Sequence, residues 1–167
     1  MPSVSDALAA NLDALASDSS KGHVVVKTTG HLTGPVETTL RSGRHTVVVD
    51  EPGALAGEDA APGPVDYAVI ALASCQAVTY RFWAEKLEIA LEDLDVTVEA
   101  DIDLRGFFGA DDAVRPGFSN VRVEVTPKGP ESAERYQELA DAANAHCPVL
   151  DLFSNATPVA HRVAVTA

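Results

Sequence analysis

From Pro64 to Lys86 the chain carries a helical pattern whose first half is apolar almost all the way round: Val65, Tyr67, Ala68, Val69, Ile70, Ala71, Leu72 and Ala73. Proline suits the first helical turn, where its missing N–H has no partner to lose. At 1.5 Å per residue such a helix is roughly 33 Å long. A helix without a polar face must be covered on every side. The small side chains of Ala68, Ala71 and Ala73 allow a second helix to come close. A chain of 167 residues has length for one domain and one core. A single copy is a poor source of cover for both sides of this helix, so a homodimer is expected.

The remaining pattern is organised around that helix. Val4, Leu8, Leu12 and Leu15 fall on one helical stripe, with Ser3 or Ser5 placed to cap it. Strands are predicted over His23–Thr29, Val36–Arg41 and His45–Asp50, separated by Gly34-Pro35 and Ser42-Gly43, as an antiparallel meander. Glu51 to Pro64 reads as a loop rich in Gly, Pro, Ala and acid. Leu94 to Arg105 alternates apolar and acidic residues in the period of a half-buried strand, with Leu104 on the inner face, and Ser119 to Thr126 repeats the alternation. A helix follows Gly129-Pro130-Glu131 and ends near His146, because Pro148 disfavours helical geometry at Cys147. Val149–Phe153 reads as a further helical turn, and Val159–Val165 as a last strand. Runs of strands interrupted by helices indicate an α+β fold.

Composition removes several function classes. Twelve basic against twenty-five acidic residues give a formal charge of −13 and a pI near 4.6. Such a surface repels phosphate backbones and anionic headgroups, so neither nucleic acid nor membrane is an expected partner. The longest apolar run, Val65 to Val78, is interrupted by Asp66, Ser74 and Gln76 and is too short to span a bilayer. Met1 to Lys21 lacks the basic start and continuous apolar core of a secretion signal. The expected compartment is the cytoplasm, where thiols stay reduced unless they cycle. That setting also argues against reading Asn155-Ala156-Thr157 as a glycosylation acceptor.

Cys75 and Cys147 are the only cysteines, 72 residues apart. Each alone can be a small buried hydrophobe. Cys75 lies about three turns into its helix, too far for the N-terminal dipole to favour its thiolate. Thiol chemistry there needs a cation, and the candidates are Arg41 and Arg44 in the hairpin ahead of the helix, and Arg81. Six residues from Cys75 is not a same-face spacing, which makes Arg81 the weakest of the three. The histidines His23, His31, His45, His146 and His161 form no zinc-like spacing with the cysteines. Pairing Cys147 with the adjacent His146 as a hydrolase dyad has poor geometry. Tyr67, Tyr80, Phe82 and Trp83 are expected to fill the core or a dimer seam.

The stretch Gly63-Pro64-Val65-Asp66-Tyr67-Ala68-Val69-Ile70-Ala71-Leu72-Ala73-Ser74-Cys75 resembles the cysteine helix of the OsmC/Ohr family, the osmotically inducible and organic-hydroperoxide-resistance proteins. Cys147-Pro148-Val149 resembles that family's second-cysteine motif. His45-Thr46-Val47-Val48-Val49-Asp50-Glu51-Pro52 and Gly57-Glu58-Asp59 resemble the OsmC-like subgroup. The resemblance covers about Val36 to the C-terminus. It implies an intertwined homodimer with antiparallel sheets around two central cysteine helices. Residues 23–167 would be the family domain, preceded by an N-terminal helix over 1–22, in one globular unit. It further implies a thiol peroxidase without metal or organic cofactor. Cys75 would attack an organic hydroperoxide, Cys147 would resolve the resulting sulfenic acid as a disulfide, and an external dithiol reductant would restore both thiols.

One position departs from the family. Peroxidatic members carry glutamate directly after the helix-opening proline, and here that residue is Val65. Asp66 follows, but one residue on a helix rotates a side chain by about 100°. The family arginine that pairs with this glutamate matches Arg44 or Arg41. The alternative implied by Val65 is a non-peroxidatic OsmC-like dimer that binds a hydrophobic ligand or senses oxidants through the same thiols.

Overall fold

Ser3 begins the first element with a reciprocal cap. Its Oγ accepts the Asp6 N–H at 3.0 Å, and the Asp6 carboxylate accepts the Ser3 N–H at 3.1 Å. In a computed structural model describing residues 1–165, α1 then runs Val4–Ser17. Val4 and Leu8 are half-buried, whereas Leu12 and Leu15 are exposed, so only the first part of the predicted stripe packs.

Strands β1 (Thr28–Leu32), β2 (Thr38–Ser42) and β3 (His45–Val49) form the expected antiparallel meander. Gly43, at φ +57°, makes the β2–β3 turn in the left-handed region that glycine tolerates best. The first strand lies downstream of its predicted place. The register pairs Thr28 with Ser42, where β2 ends, so nothing remains for residues 23–27 to pair with. Val24, Val25 and Val26 consequently lie exposed outside the sheet.

Helix α2 spans Pro64–Lys86, as its pattern predicts. Asp66 Oδ2 accepts the Gly63 N–H at 2.9 Å and fixes its first turn. Complete cover is not what one copy provides. Leu72, Gln76, Thr79, Tyr80 and Ala84 are buried, but Ile70 is 46% and Val78 54% exposed. These two residues and Ser74 between them share one uncovered helix face.

Strands β4 (Asp93–Asp101) and β5 (Asn120–Lys128) form a two-stranded antiparallel hairpin. Their alternation is the predicted one: Leu94, Val96, Val98 and Ala100 face inward with Val121, Val123 and Val125. The outer face carries ion pairs of Arg122 with Glu99 and Asp101, and of Lys128 with Asp93 and Asp95. The predicted continuation to Arg105 is corrected. Asp103 accepts the Arg105 N–H at 3.0 Å and starts a short helix α3 (Leu104–Phe107), which leaves Leu104 exposed.

Helices α4 (Ala133–His146) and α5 (Pro148–Ser154) meet at Cys147, whose extended backbone (φ −83°, ψ 109°) fits the constraint set by Pro148. The core joins Tyr80 and Ala84 of α2 to Ile89, Leu91, Leu139 and Ala143, with Trp83 packed beside it. The predicted strand Val159–Val165 is also corrected: these residues pair with neither sheet, and Val159, Val163 and Val165 are exposed. The architecture is α+β, with two antiparallel sheets and α2 packed against β4, α4, α5 and α1. No helix among the described residues is long and apolar enough to cross a membrane. Thr166 and Ala167, the end of the domain expected over 23–167, lie outside the described residues.

Candidate functional site

Val65, Ala68, Leu72, Cys75 and Thr79 recur along α2 at alternating spacings of three and four, which aligns them on one face. The α4–α5 junction lies against this face and sets Cys147 beside Cys75 and Thr79. Cys75 is partly exposed, whereas Cys147 is only 2% exposed. Both are free thiols. A partly accessible sulfur therefore has a second, enclosed sulfur next to it.

Burial is the largest influence on Cys147 and pushes its thiol pKa up, since a thiolate loses more hydration than a thiol. The adjoining Cys75 acts in the same direction. The Leu150 backbone N–H and the Thr79 side chain act against it, because donors favour the anion. Cys147 is thus kept in its protonated form, with two donors nearby for any charge it later carries.

The other predicted site residues lie elsewhere. Asp66 is the capping acid of α2, nine residues and about 13.5 Å along the axis from Cys75. Arg41 projects from β2 beside Thr29, His31 and Thr39, whereas its neighbours Leu40 and Ser42 face Pro64 and Tyr67 at the start of α2. Arg41 thus points away from the cysteine helix of its own chain. Arg44 sits in the exposed β2–β3 turn. Neither makes a side-chain hydrogen bond or ion pair among the described residues. Arg81 is held by the Leu91 carbonyl at the entry to β4. Tyr80 is buried in the core, and the Tyr67 hydroxyl donates to the Val48 carbonyl at 2.9 Å.

Val65 stands at the rim of a cleft of about 230 Å³, together with Ala68, Ile102, Pro116 and Phe118. Phe118 stacks on Phe153 of α5, centroids 6.0 Å apart, so the cleft borders the helix that Cys147 leads into. The start of α2 therefore presents hydrocarbon where an acid was expected. A larger apolar cleft, about 530 Å³, opens between Leu32, Val36, Leu55, Phe107 and Phe108 with Glu51 in its wall.

The loop between β3 and α2 is built on Asp50. Its buried carboxylate accepts the Glu58 N–H at 2.9 Å and the Ala60 N–H at 3.1 Å. These backbone donors, that of Ala60 foremost, hold the Asp50 carboxyl below the usual range. Among the described residues no group of three or more His, Cys, Asp or Glu side chains is gathered as a metal site.

Sequence reasoning missed Thr79 as a neighbour of the dithiol, and Gln76, next to Cys75 in the chain, as a buried amide without a partner. The spacing of four from Cys75 was a usable signal for Thr79. Gln76 stood out only as a polar interruption of an apolar run.

Among known families, the model described as OsmC-like protein matches residues 57–162. No curated protein matches the sequence. Solved structures share the fold at low identity. An OsmC-like protein from Mycoplasma pneumoniae superposes with a TM-score of 0.68 at 18% identity, covering 78% of this chain and 88% of that one. An organic hydroperoxide resistance protein OsmC from Legionella pneumophila gives 0.61 at 20%, covering 78% and 89%. The organic hydroperoxide resistance protein OhrB of Bacillus subtilis gives 0.56 at 21%, covering 77% and 90%.

Proposed function

The chain belongs to the OsmC-like family, and on that premise we propose that it is a thiol peroxidase that reduces organic hydroperoxides through Cys75 and Cys147. The observation that carries this reading is the enclosure of Cys147 against Cys75. Two neighbouring thiols are the pair that a disulfide requires, and the accessible one is the natural point of attack.

In the proposed reaction the Cys75 thiolate attacks the distal peroxide oxygen. The O–O bond breaks, an alkoxide leaves and takes up a proton, and Cys75 becomes a sulfenic acid. The sulfur is oxidised by two electrons and the peroxide is reduced. Cys147 then attacks the Cys75 sulfur; the S–S bond forms, and the hydroxyl leaves with the Cys147 proton as water. An external dithiol, itself oxidised to a disulfide, returns both thiols.

The active unit in this reading is a homodimer in the cytoplasm. The uncovered face of α2 at Ile70, Ser74 and Val78 supports the dimer. So do residues 23–27 and 159–165, which pair with no strand and lie exposed. Assembly brings a guanidinium of the exposed β2–β3 hairpin, Arg41 or Arg44, to the thiol, where a cation favours the reactive thiolate. Asp66 serves this site indirectly, by fixing the start of the cysteine helix. No metal or organic cofactor takes part.

Val65 favours a second reading, in which an OsmC-like dimer binds an apolar ligand along the cleft at Val65 and Phe118, or senses oxidants through the two thiols. Turnover separates the two. Consumption of cumene hydroperoxide with a dithiol reductant, abolished in Cys75→Ser, supports the peroxidase. Absence of turnover with any dithiol, alongside retention of apolar ligands, supports the binder.

A further inference from the structure

Gln76 follows Cys75 directly on α2, between Leu72 and Tyr80 on the buried track of the helix. Its side chain is 0% exposed, and neither amide atom, Nε2 or Oε1, has a hydrogen-bond partner. A primary amide buried without partners is destabilising, and such groups in native interiors call for an explanation. Thr79 links it to the thiols: that residue is three positions from Gln76 and four from Cys75, so it borders both on the helix surface. Cys147 adjoins Thr79 as well as Cys75. The unpaired amide therefore belongs to the buried helix track that adjoins the one carrying Cys75.

We propose that Gln76 is a positioning residue that receives the oxygen transferred to Cys75, hydrogen-bonding the sulfenic acid. The donor and acceptor inventory carries the match. An S–OH group offers one acceptor oxygen and one O–H donor, and the Gln76 side chain has one donor group and one acceptor unused. In the dithiol state the amide has no partner, so its bonds appear only once oxygen arrives at the sulfur. Interactions made late along a reaction are the ones that favour its forward course. The inference rests on the reading that Cys75 is the oxidised thiol, but not on rapid peroxide turnover, since excess hydrogen peroxide oxidises even an ordinary thiol.

The test uses the full chain carrying Cys147→Ser, so that the sulfenic acid persists, with Gln76 or with Gln76→Met, which keeps length and removes the amide. Melting temperature is measured before and after oxidation by hydrogen peroxide, with the acid quantified by dimedone labelling and mass spectrometry. For the reduced protein, Gln76→Met raises the melting temperature by roughly 2–4 °C, the response of a chain this size to losing one unpaired buried polar group. Oxidation then stabilises the Gln76 protein relative to the Met variant by a comparable shift, and the dimedone-reactive yield falls in the variant. Gln76→Leu checks that shape is not responsible. An equal response of both proteins to oxidation overturns the proposal. So does a reduced protein that is destabilised or unfolded by Gln76→Met, since the amide would then hold a bond the fold needs. A Cys75 that reacts with hydroperoxides no faster than free cysteine is a separate result, and it sinks the peroxidase reading instead.

Discussion

Cys147 lies against Cys75 although 72 residues separate them, and the two sulfurs meet unequal surroundings. One is partly open and the other enclosed. Alkylation should therefore be ordered. With iodoacetamide at pH 8 and peptide mapping, Cys75 is expected to label at least about tenfold faster than Cys147, since access and thiolate content both limit the enclosed thiol. Equal rates would mean that the α4–α5 junction opens freely.

The raised thiol pKa of Cys147 has a consequence for stability at alkaline pH. A thiol whose folded pKa lies above its unfolded value near 8.5 binds more protons in the native state over the interval between them. Stability then falls as pH rises through that interval. Urea midpoints of the reduced protein should decline above about pH 8.5, and the decline should be smaller in Cys147→Ser. A midpoint that holds steady to pH 10 would contradict the enclosure of this thiol.

Asp50 gives the opposite dependence at the acid end. Its folded pKa is depressed by the backbone donors of the loop, so its contribution is present above about pH 4 and is lost as pH falls through the folded value. Asp50→Asn should reproduce that loss at neutral pH. The expected sign is faster amide exchange at Glu58 and Ala60, with little change in β4 and β5.

Gly57 tests the same loop by shape. A Cβ there would lie 1.7 Å from the Glu51 carbonyl oxygen, which is backbone and cannot swing aside. Gly57→Ala should cost roughly 1–3 kcal/mol in chemical denaturation, in the range of a forced overpacking. A neutral effect would show that the loop takes a different path.

The local parts of this fold are legible in the sequence. α2 and the β4–β5 hairpin follow from periodicity, and the break at Cys147 follows from Pro148. The errors arise where an element depends on a partner. Residues 24–26 and 159–165 have strand composition, yet in one copy they pair with no strand, so their pattern alone placed them in sheets. Leu104 keeps the alternation of β4, but the side chain of Asp103 captures the backbone and ends the strand. The site divides in the same way. The two cysteines could be singled out by rarity and resemblance. Their proximity, the donors at Cys147 and the isolation of Gln76 come from packing between distant segments, which no local period encodes.

The uncovered face of α2 makes the assembly testable. Ile70 and Val78 are exposed one above the other, two turns apart. The protein should sediment as a dimer, and Ile70→Asp with Val78→Asp should shift it to monomer, since a carboxylate in an apolar seam loses its hydration. If a guanidinium reaches the thiol only on assembly, these changes should also slow alkylation of Cys75 at pH 6, as should removal of the responsible arginine, Arg41→Ala or Arg44→Ala.

The central claim is that hydroperoxide joins the two sulfurs. One equivalent of cumene hydroperoxide added to the reduced protein, quenched by acid within seconds and digested for mass spectrometry, should yield the Cys75–Cys147 cross-linked peptide. A dithiol should restore both thiols, and Cys75→Ser should leave the peroxide unconsumed. Both cysteines recovered as free thiols, with the peroxide intact, would contradict the account.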